Sequence, residues 1–247
     1  MFREFKFWLS DAICGLLEPV APALFAKSCS RFADGFIVTI ELLILSCVIG
    51  FCIALTAVLC RLSSKPLLKT GAFLYIYLFR GTPLLVQFWI VYFGIGSLGE
   101  ASLGPLLWPL FKDAWWVGLI VLSLNTGAYV AEILRGGLVN VPAGQMEAAV
   151  AHGMSWLQAM RRIMLPQALR IAWPAYGNEL VLLMKGSALV STITVMDLMG
   201  QTRTIFSRSY DLSVYLYAAL LYLLIAGVIT LFCRLVENRL MNKPASA

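Results

Sequence analysis

Five long apolar stretches dominate this chain and predict an all-α integral membrane protein. Each is long enough to cross about 30 Å of hydrocarbon as a helix, which takes about 20 residues. The motif FRGTP interrupts the second stretch, and Pro174 and the pair Lys185-Gly186 interrupt the fourth. The predicted spans lie near residues 35–62, 66–98, 114–138, 171–193 and 212–236.

The overall composition agrees with a membrane protein and disfavours nucleic-acid binding. Apolar residues make up 60% of the chain and charged residues 13%, whereas a soluble domain has about 45–50% and about 25%. The net charge of +6 is typical of basic residues at helix ends that face anionic lipid and the cytoplasm. Membrane lipid is therefore an expected partner, and nucleic acid is not.

The N-terminal 31 residues and the cysteines suggest structural roles only. The N-terminus begins like a signal peptide, but Asp11, Glu18 and Pro19 interrupt its apolar run, so we expect a retained periplasmic or interfacial helix. The six cysteines include no CxxC pair, and three lie in one apolar stretch. We therefore expect buried thiols, with neither a disulfide framework nor a metal site.

The distribution of basic residues predicts the orientation of the five spans. Counted near the span ends, one side carries nine Lys or Arg and the other five, and the more basic side is expected to be cytoplasmic. This places the C-terminal tail (238–247) and the segments 62–69 and 147–166 in the cytoplasm. The N-terminus and the segments 99–113 and 197–211 are then outside. The nine are Arg61, Lys65, Lys69, Arg161, Arg162, Arg170, Arg234, Arg239 and Lys243.

The segment 147–166, EAAVAHGMSWLQAMRRIMLP, is the one long amphiphilic and basic stretch between apolar ones. Gly153 permits a kink or a helix C-cap, Ser155 is a candidate N-cap for a second short helix, and Pro166 is expected to end that helix. The small side chains of Ala148, Ala149 and Ala151 would allow another protein to approach closely. An alternative on physical grounds is an amphipathic helix lying among lipid headgroups.

The chain lacks the means to hydrolyse ATP by itself. It contains no G-x-x-x-x-G-K-[ST] run, the loop that cradles phosphates in many ATPases. Its single histidine, His152, lies away from any carboxylate or cysteine cluster, so a catalytic or metal role is not favoured. We expect no enzyme activity and no cofactor in this chain.

Ionisable residues inside the spans mark a candidate polar site. A charge at the centre of an isolated membrane helix costs about 2.5–3.5 kcal/mol, yet six lie within the apolar stretches. We expect Arg80, Pro83 and Gln87 to share one helix face, Asn125, Tyr129 and Glu132 a second, and Asn178 and Lys185 a third beside Glu179. Together they would suit a zwitterionic ligand. The six are Glu41, Arg80, Glu132, Arg135, Glu179 and Lys185.

Structural roles remain open for these residues. Glu132 and Arg135 are three residues apart and can pair with each other. Arg80 can stabilise a helix end, and polar side chains often join helices within membranes. Glu41 is expected to be interfacial.

Four motifs in order resemble those of one family: FRGTPLLVQ, LNTGAYVAEILRGG, the EAA…G…I-x-L-P segment and NELVLLMKGSALVSTITVMDLMG. They are similar to polar amino acid permeases of ABC importers, particularly the M-type permeases of the histidine/lysine-arginine-ornithine group, over residues 32–237. The resemblance implies a five-helix type I importer transmembrane core with an extra N-terminal segment and a cytoplasmic coupling helix.

The same resemblance implies partners and residue roles. Partners are a cytoplasmic ABC ATPase dimer that holds ATP and Mg, a second permease that is a homologue or an identical copy, and a periplasmic amino-acid-binding protein. The location implied is the bacterial inner membrane. The implied coupling residues are Glu147, Ala148, Ala149, Gly153, Ile163, Leu165 and Pro166. The implied substrate-binding residues are Arg80, Gln87, Asn125, Tyr129, Asn178, Glu179 and Lys185.

The function expected is ATP-driven uptake of polar amino acids, especially basic ones such as arginine, ornithine, lysine, histidine or related opines. The alternative is a stand-alone, ion-coupled secondary transporter or channel that uses the buried charges as a relay. The odd number of spans, the lack of an internal repeat and the EAA segment disfavour it. A membrane enzyme is disfavoured because no HExxH motif, Ser/His pair or metal cluster is present.

Overall fold

The computed structural model describes Cys14 and the continuous stretch Ala23–Met241, which is built of helices with no strand. Four helical segments in this stretch are long and apolar enough to cross a membrane. A fifth span results if two helices that meet at a bend of 52° are counted together. The prediction of an all-α membrane protein is confirmed.

The helices follow one another with short connections. In chain order they are α1 (Ala23–Leu62), α2 (Pro66–Gly81), α3 (Leu84–Trp89), α4 (Gly99–Lys112), α5 (Ala114–Val139), α6 (Ala143–Ala151), α7 (Trp156–Ala159), α8 (Leu165–Ser187), α9 (Leu198–Ser209) and α10 (Ser213–Met241). Two π-helical turns, Ile90–Gly94 and Met160–Met164, and two 3₁₀ turns, Ile95–Leu98 and Ala188–Ile193, link some of them.

The chain divides into two compact units, each with its own core. Unit one comprises the described residues of Met1–Cys47, Thr82–Ser123 and Leu183–Ala226, and unit two those of Val48–Gly81, Leu124–Leu182 and Gly227–Ala247. The segments predicted to lie outside, 99–113 and 197–211, belong to unit one. They form helices α4 and α9 and are not irregular loops. The predicted cytoplasmic segments 62–69 and 147–166 belong to unit two.

The N-terminal region differs from the sequence-based expectation in its cysteines. Cys14 and Cys29 form a disulfide, so the prediction that all six cysteines are thiols is wrong. Disulfide formation depends on the distance between two Cα atoms, 5.7 Å here, which sequence spacing does not report. Cys47, Cys52, Cys60 and Cys233 are thiols. Most of the surface helix predicted within residues 1–31 lies outside the described residues.

The second predicted span is interrupted at the FRGTP motif. Helix α2 ends at Gly81, and Pro83 adopts an extended conformation before α3 begins. The Gln87 side chain donates to the Thr82 carbonyl at 3.0 Å and to its hydroxyl at 2.9 Å, which stabilises the break. The predicted weak point is confirmed. The predicted common face of Arg80, Pro83 and Gln87 is wrong, because no continuous helix joins them.

A buried polar network ties helices together in unit one. The Thr39 hydroxyl on α1 accepts a hydrogen bond from the backbone N–H of Leu198 at 3.0 Å. Asp197 is fully buried, and its Oδ1 accepts from the Gly200 N–H at 2.9 Å, capping α9. Its Oδ2 lies 3.4 Å from the Tyr222 hydroxyl on α10. The network joins α1, α9 and α10 beside the apolar cluster Phe32, Leu198, Ile205, Val214 and Ala218.

Replacing Asp197 by alanine should destabilise the protein by about 2 kcal/mol, because the α9 cap and a buried acceptor are lost together. Asp211→Ala is the matched control, since Asp211 also accepts from a helix-starting N–H, that of Ser213 at 2.9 Å, but is exposed. The measurement is the thermal unfolding midpoint of the detergent-purified chain. Equal midpoints for the two variants would contradict a stabilising role for the buried network.

Close backbone packing holds α5 against α8 in unit two. A Cβ on Gly137 would lie 2.5 Å from the Ala168 carbonyl oxygen and 3.1 Å from the Ala172 Cβ. Small residues allow such an approach between membrane helices. Ala168 and Ala172 belong to the buried cluster of this unit, together with Ala54, Val58, Val130 and Leu134. Indole N–H donation from Trp173 to the Cys233 carbonyl at 3.0 Å joins α8 to α10.

Candidate substrate path and coupling loop

Glu179 is the most deeply buried of the charged residues predicted to form the site. It lies on α8 in unit two with 6% of its surface exposed. A buried carboxylate within a membrane span is costly unless a cation or a polar partner offsets it. Glu179 is therefore suited to hold a cationic group.

Arg80, Tyr129 and Asn125 form a group of polar and aromatic contacts in unit two. The Arg80 guanidinium carbon lies 5.2 Å from the centroid of the Tyr129 ring, within cation–π range. The Asn125 side chain donates to the Phe79 carbonyl at 3.3 Å. Arg80 also stands in the last turn of α2, where a cation is favourable. Arg80 therefore both stabilises the end of α2 and contacts Tyr129 on α5.

Lys185 and Asn178 on α8 are exposed, whereas Glu179 is buried. Asn178 belongs to unit two and Lys185 to unit one, and each is described within its own unit. In unit one, Lys185 borders an apolar cleft of about 380 Å³ lined also by Met184, Ala188, Ala219 and Tyr222. Adjacent positions on a helix point in different directions, so Glu179 does not share the face of Asn178.

Gln87 and the Glu132–Arg135 pair have structural partners. Gln87 is 8% exposed in unit one, where it bonds to Thr82 at the helix break. Arg135 Nη2 lies 2.8 Å from Glu132 Oε2 and its Nε donates to the same oxygen at 2.9 Å. The pairing of Glu132 with Arg135, one of the two alternatives drawn from the sequence, is confirmed.

Tyr75 is a supporting residue that the sequence did not single out. Its hydroxyl donates to the Leu124 carbonyl at 2.6 Å, joining α2 to α5 next to Asn125. The ring packs so closely that a Cβ on Gly127 would lie 2.8 Å from the hydroxyl oxygen. A tyrosine in an apolar stretch resembles any aromatic core residue, so only the packing identifies this contact.

The segment 143–166 forms two helices separated by a tight turn. Gly153 has a φ of +74°, which glycine adopts without the Cβ penalty of other residues. Its N–H donates to the Val150 carbonyl at 2.9 Å, and the Met154 N–H donates to the Ala149 carbonyl at 3.0 Å. Ser155 then starts α7 with a capping box to Gln158. The predicted turn at the end of α6 at Gly153 and the predicted N-cap at Ser155 are confirmed.

The predicted end of the second short helix at Pro166 is wrong. The π-helical turn Met160–Met164 leads directly from α7 into α8, and Pro166 is the second residue of α8. A wider π turn accommodates the missing N–H and the ring of proline. One helical segment therefore runs without a gap from Trp156 to Glu179.

The surface of the loop is more apolar than its alanines suggest. Val150 is 59% exposed, Trp156 52% and Leu157 68%. Ala148 and Ala151 are exposed, as are Glu147, Gly153 and Pro166, while Ile163 and Leu165 are half-buried. Ala149 is 1% exposed, so it packs inside unit two and does not belong to the predicted small docking face. His152 is exposed at the C-cap of α6.

Comparison with protein families assigns the chain to a family of membrane transport subunits. Residues 47–242 match the model of the binding-protein-dependent transport system inner membrane component. The chain belongs to this family. The permease is therefore a membrane subunit of an ABC importer and carries no ATPase of its own, and the stand-alone transporter is not favoured.

Individual relatives of the permease are opine and arginine permeases. It is 39% identical to the octopine transport system permease protein OccM of Rhizobium radiobacter over 236 residues, 92% of this chain and 96% of the relative. It is 40% identical to the nopaline permease NocM of Agrobacterium fabrum (strain C58) over 200 residues, 81% and 83% of the two chains. The arginine ABC transporter permease protein ArtM of Haemophilus influenzae is 36% identical over 219 residues, 88% and 96%.

Solved structures place the fold among type I ABC importer permeases. The permease matches a chain from the crystal structure of an amino acid ABC transporter with histidines at a TM-score of 0.78 and 35% identity, covering 87% of this chain and 96% of the other. The MetNI methionine ABC transporter in an inward-facing conformation matches at a TM-score of 0.70 and 19% identity, over 85% and 96%. The latter similarity concerns the fold alone.

Proposed function

We propose that the permease carries amino acids with a cationic side chain, or related opines, across the bacterial inner membrane. The observation that carries the proposal is Glu179, a carboxylate 6% exposed on a spanning helix. A cationic substrate group would offset the cost of burying this charge. Arg80, Tyr129 and Asn125, in the same unit, supply a cation, an aromatic face and an amide for the rest of the ligand. The names of the similar opine and arginine permeases support this substrate class.

The permease acts in an assembly with a periplasmic amino-acid-binding protein and a cytoplasmic ATPase dimer that binds ATP and Mg. Val150, Trp156 and Leu157 form an exposed apolar surface on the 143–166 segment, suited to the ATPase. A second permease, homologous or identical, would cover the exposed Lys185 on α8. A lysine facing lipid in mid-span would be costly, so Lys185 is expected to line a path between two subunits.

In the proposed orientation, the N-terminus of the permease lies outside and its C-terminus lies in the cytoplasm. The nine-to-five excess of basic residues supports this arrangement. The disulfide between Cys14 and Cys29 supports it independently, because disulfides persist in the periplasm and are rare in the cytosol.

Replacing Glu179 by glutamine tests the substrate class. The variant retains the size of Glu179 but loses its charge and exchanges one acceptor oxygen for an NH2 donor, so uptake of L-arginine at subsaturating concentration should fall about tenfold. Uptake of L-glutamine, which has no cationic side chain, should fall much less where it is measurable. The measurement uses proteoliposomes that contain the permease pair, the ATPase and the binding protein.

Glu237→Gln is the matched control, because Glu237 lies near the C-terminal end of α10 and is not among the residues proposed to bind substrate. Its arginine uptake should equal that of the unmodified permease. Unchanged arginine uptake by Glu179→Gln, at equal amounts of assembled complex, would remove Glu179 from the substrate path.

A further inference from the structure

An open cavity in unit one has the features of a ligand site. Its volume is about 700 Å³, and its walls come from α1, the turn after α3, the junction of α4 and α5, and the residues that follow the 3₁₀ turn Ala188–Ile193. None of the predicted substrate-binding residues lines it. In the proposed orientation the cavity opens on the outer side, since the α4–α5 junction belongs to the predicted outer segment 99–113.

The polar groups of the cavity include one positive and one negative charge. Lys112 and Asp113 are adjacent and exposed at its wall, and the Tyr92 hydroxyl lies 3.4 Å from the Thr194 hydroxyl. Lys112 forms no salt bridge with the described residues. Asp113 Oδ1 accepts from the Trp115 N–H at 2.8 Å, and a carboxylate has further acceptor positions available. An ammonium donor, a carboxylate acceptor and two hydroxyls complement an amino acid zwitterion.

The backbone at Thr194 is an independent indication of function. Its φ of +72° places a β-branched residue in the left-handed region, where such residues are rare. Strained conformations of this kind persist where the surrounding structure enforces them and are concentrated at binding and switch sites. The conformation also ends the 3₁₀ turn and leaves Thr194 exposed at the cavity.

The side chain of Trp115 adds an aromatic wall. It is half-buried, and its ring packs edge-to-face against Trp116 with the centroids 5.0 Å apart. A fixed indole face next to a carboxylate attracts a guanidinium or ammonium group. The combination therefore suits an amino acid with a cationic side chain better than an apolar one.

We infer that this cavity is an outer binding site in which the amino acid rests after its release from the binding protein and before it reaches the buried part of the path. Lys112 pairs with the α-carboxylate, Asp113 with the α-ammonium, and Trp115 faces the side chain. The inference rests on the proposed function for its substrate class and its orientation.

Cysteine protection in the assembled complex tests the site. Thr194→Cys places a thiol at the cavity, which a membrane-impermeant methanethiosulfonate reagent modifies in proteoliposomes. L-arginine, added alone at about ten times its dissociation constant, should slow the modification about tenfold, because only unoccupied sites react. Lys112→Met in the same background should raise the arginine concentration for half-protection about tenfold, since a charged hydrogen bond is lost.

Ser102→Cys is the matched control, exposed on α4 and not part of the cavity wall. It should be modified without protection by L-arginine. Pro109→Cys, which lines the cavity, replaces Thr194→Cys if that variant does not assemble with the ATPase. The inference would be overturned if L-arginine protected Ser102→Cys as strongly as Thr194→Cys. It would also be overturned if the binding protein protected Thr194→Cys and L-arginine did not.

The outcome also separates this inference from the proposed function. Uptake of L-arginine without protection would remove the outer site and leave the transport function intact. Protection without uptake would contradict the proposed function and leave the outer site standing. The absence of both would contradict both.

Discussion

Replacing Gly153 by valine should detach the permease from its ATPase. The φ of +74° at this position costs a residue with a Cβ about 1–2 kcal/mol, and a β-branched side chain is a marked outlier there. The turn would relax, and the hydrogen bonds from Gly153 and Met154 to the end of α6 would be lost. Because α6 and α7 present the exposed apolar surface together, their altered angle should reduce recovery of the ATPase at least tenfold.

The measurement is the amount of ATPase that co-purifies with a tagged permease, with ATP-driven uptake as a second readout. Gly144→Val is the matched control, because Gly144 lies in α6 without a positive φ, and a Cβ added there would meet no atom within 4 Å. It should retain ATPase binding. A Gly153→Val permease that co-purifies with its ATPase and transports normally would exclude this segment as the coupling loop.

Adding one methyl group at Gly137 should strongly destabilise the fold, whereas the same change at Gly136 should be tolerated. A Cβ at Gly137 would lie 2.5 Å from the Ala168 carbonyl oxygen, a backbone atom that cannot rotate away. Helices α5 and α8 would have to separate, and such overpacking costs about 1–3 kcal/mol or more. A Cβ at Gly136 would have no contact within 4 Å, and alanine is favoured over glycine in a helix by about 1 kcal/mol.

The two single-alanine variants are compared by yield of monodisperse protein in detergent and by thermal unfolding midpoint. Gly137→Ala should lower both, and Gly136→Ala should match or exceed the unmodified permease. Because helix propensity changes equally in the two variants, their difference isolates the packing between α5 and α8. Similar midpoints would show that α5 and α8 separate readily and that the close approach contributes little stability.

Several features were predictable because they depend on neighbouring residues in the chain. The spanning helices follow from apolar length, the break at Gly81–Pro83 from backbone chemistry, and the N-cap at Ser155 from a local hydrogen bond. The Glu132–Arg135 pair follows from helical spacing, which brings residues three apart together. The EAA segment depends on residue order and identifies the family without coordinates.

Other features depend on contacts between distant segments, and these were missed or wrongly predicted. Ala149 packs inside unit two, whereas Ala148 and Ala151 on the same short helix are exposed. The helix that continues through Pro166 was also missed, although the π turn before it is a local feature. The Cys14–Cys29 disulfide and the Thr39–Leu198 hydrogen bond join residues whose proximity no local pattern reports.

Residue order alone was sufficient to predict a helical membrane permease, the charged residues within its spans and the segment proposed to meet an ATPase. Those properties follow from hydropathy, motif spacing and helical periodicity, which act over a few turns. The packed helices were needed to show that Glu179 is buried while Lys185, on the same helix, is exposed. Burial depends on which other helices cover each face, and distant parts of the chain supply those helices.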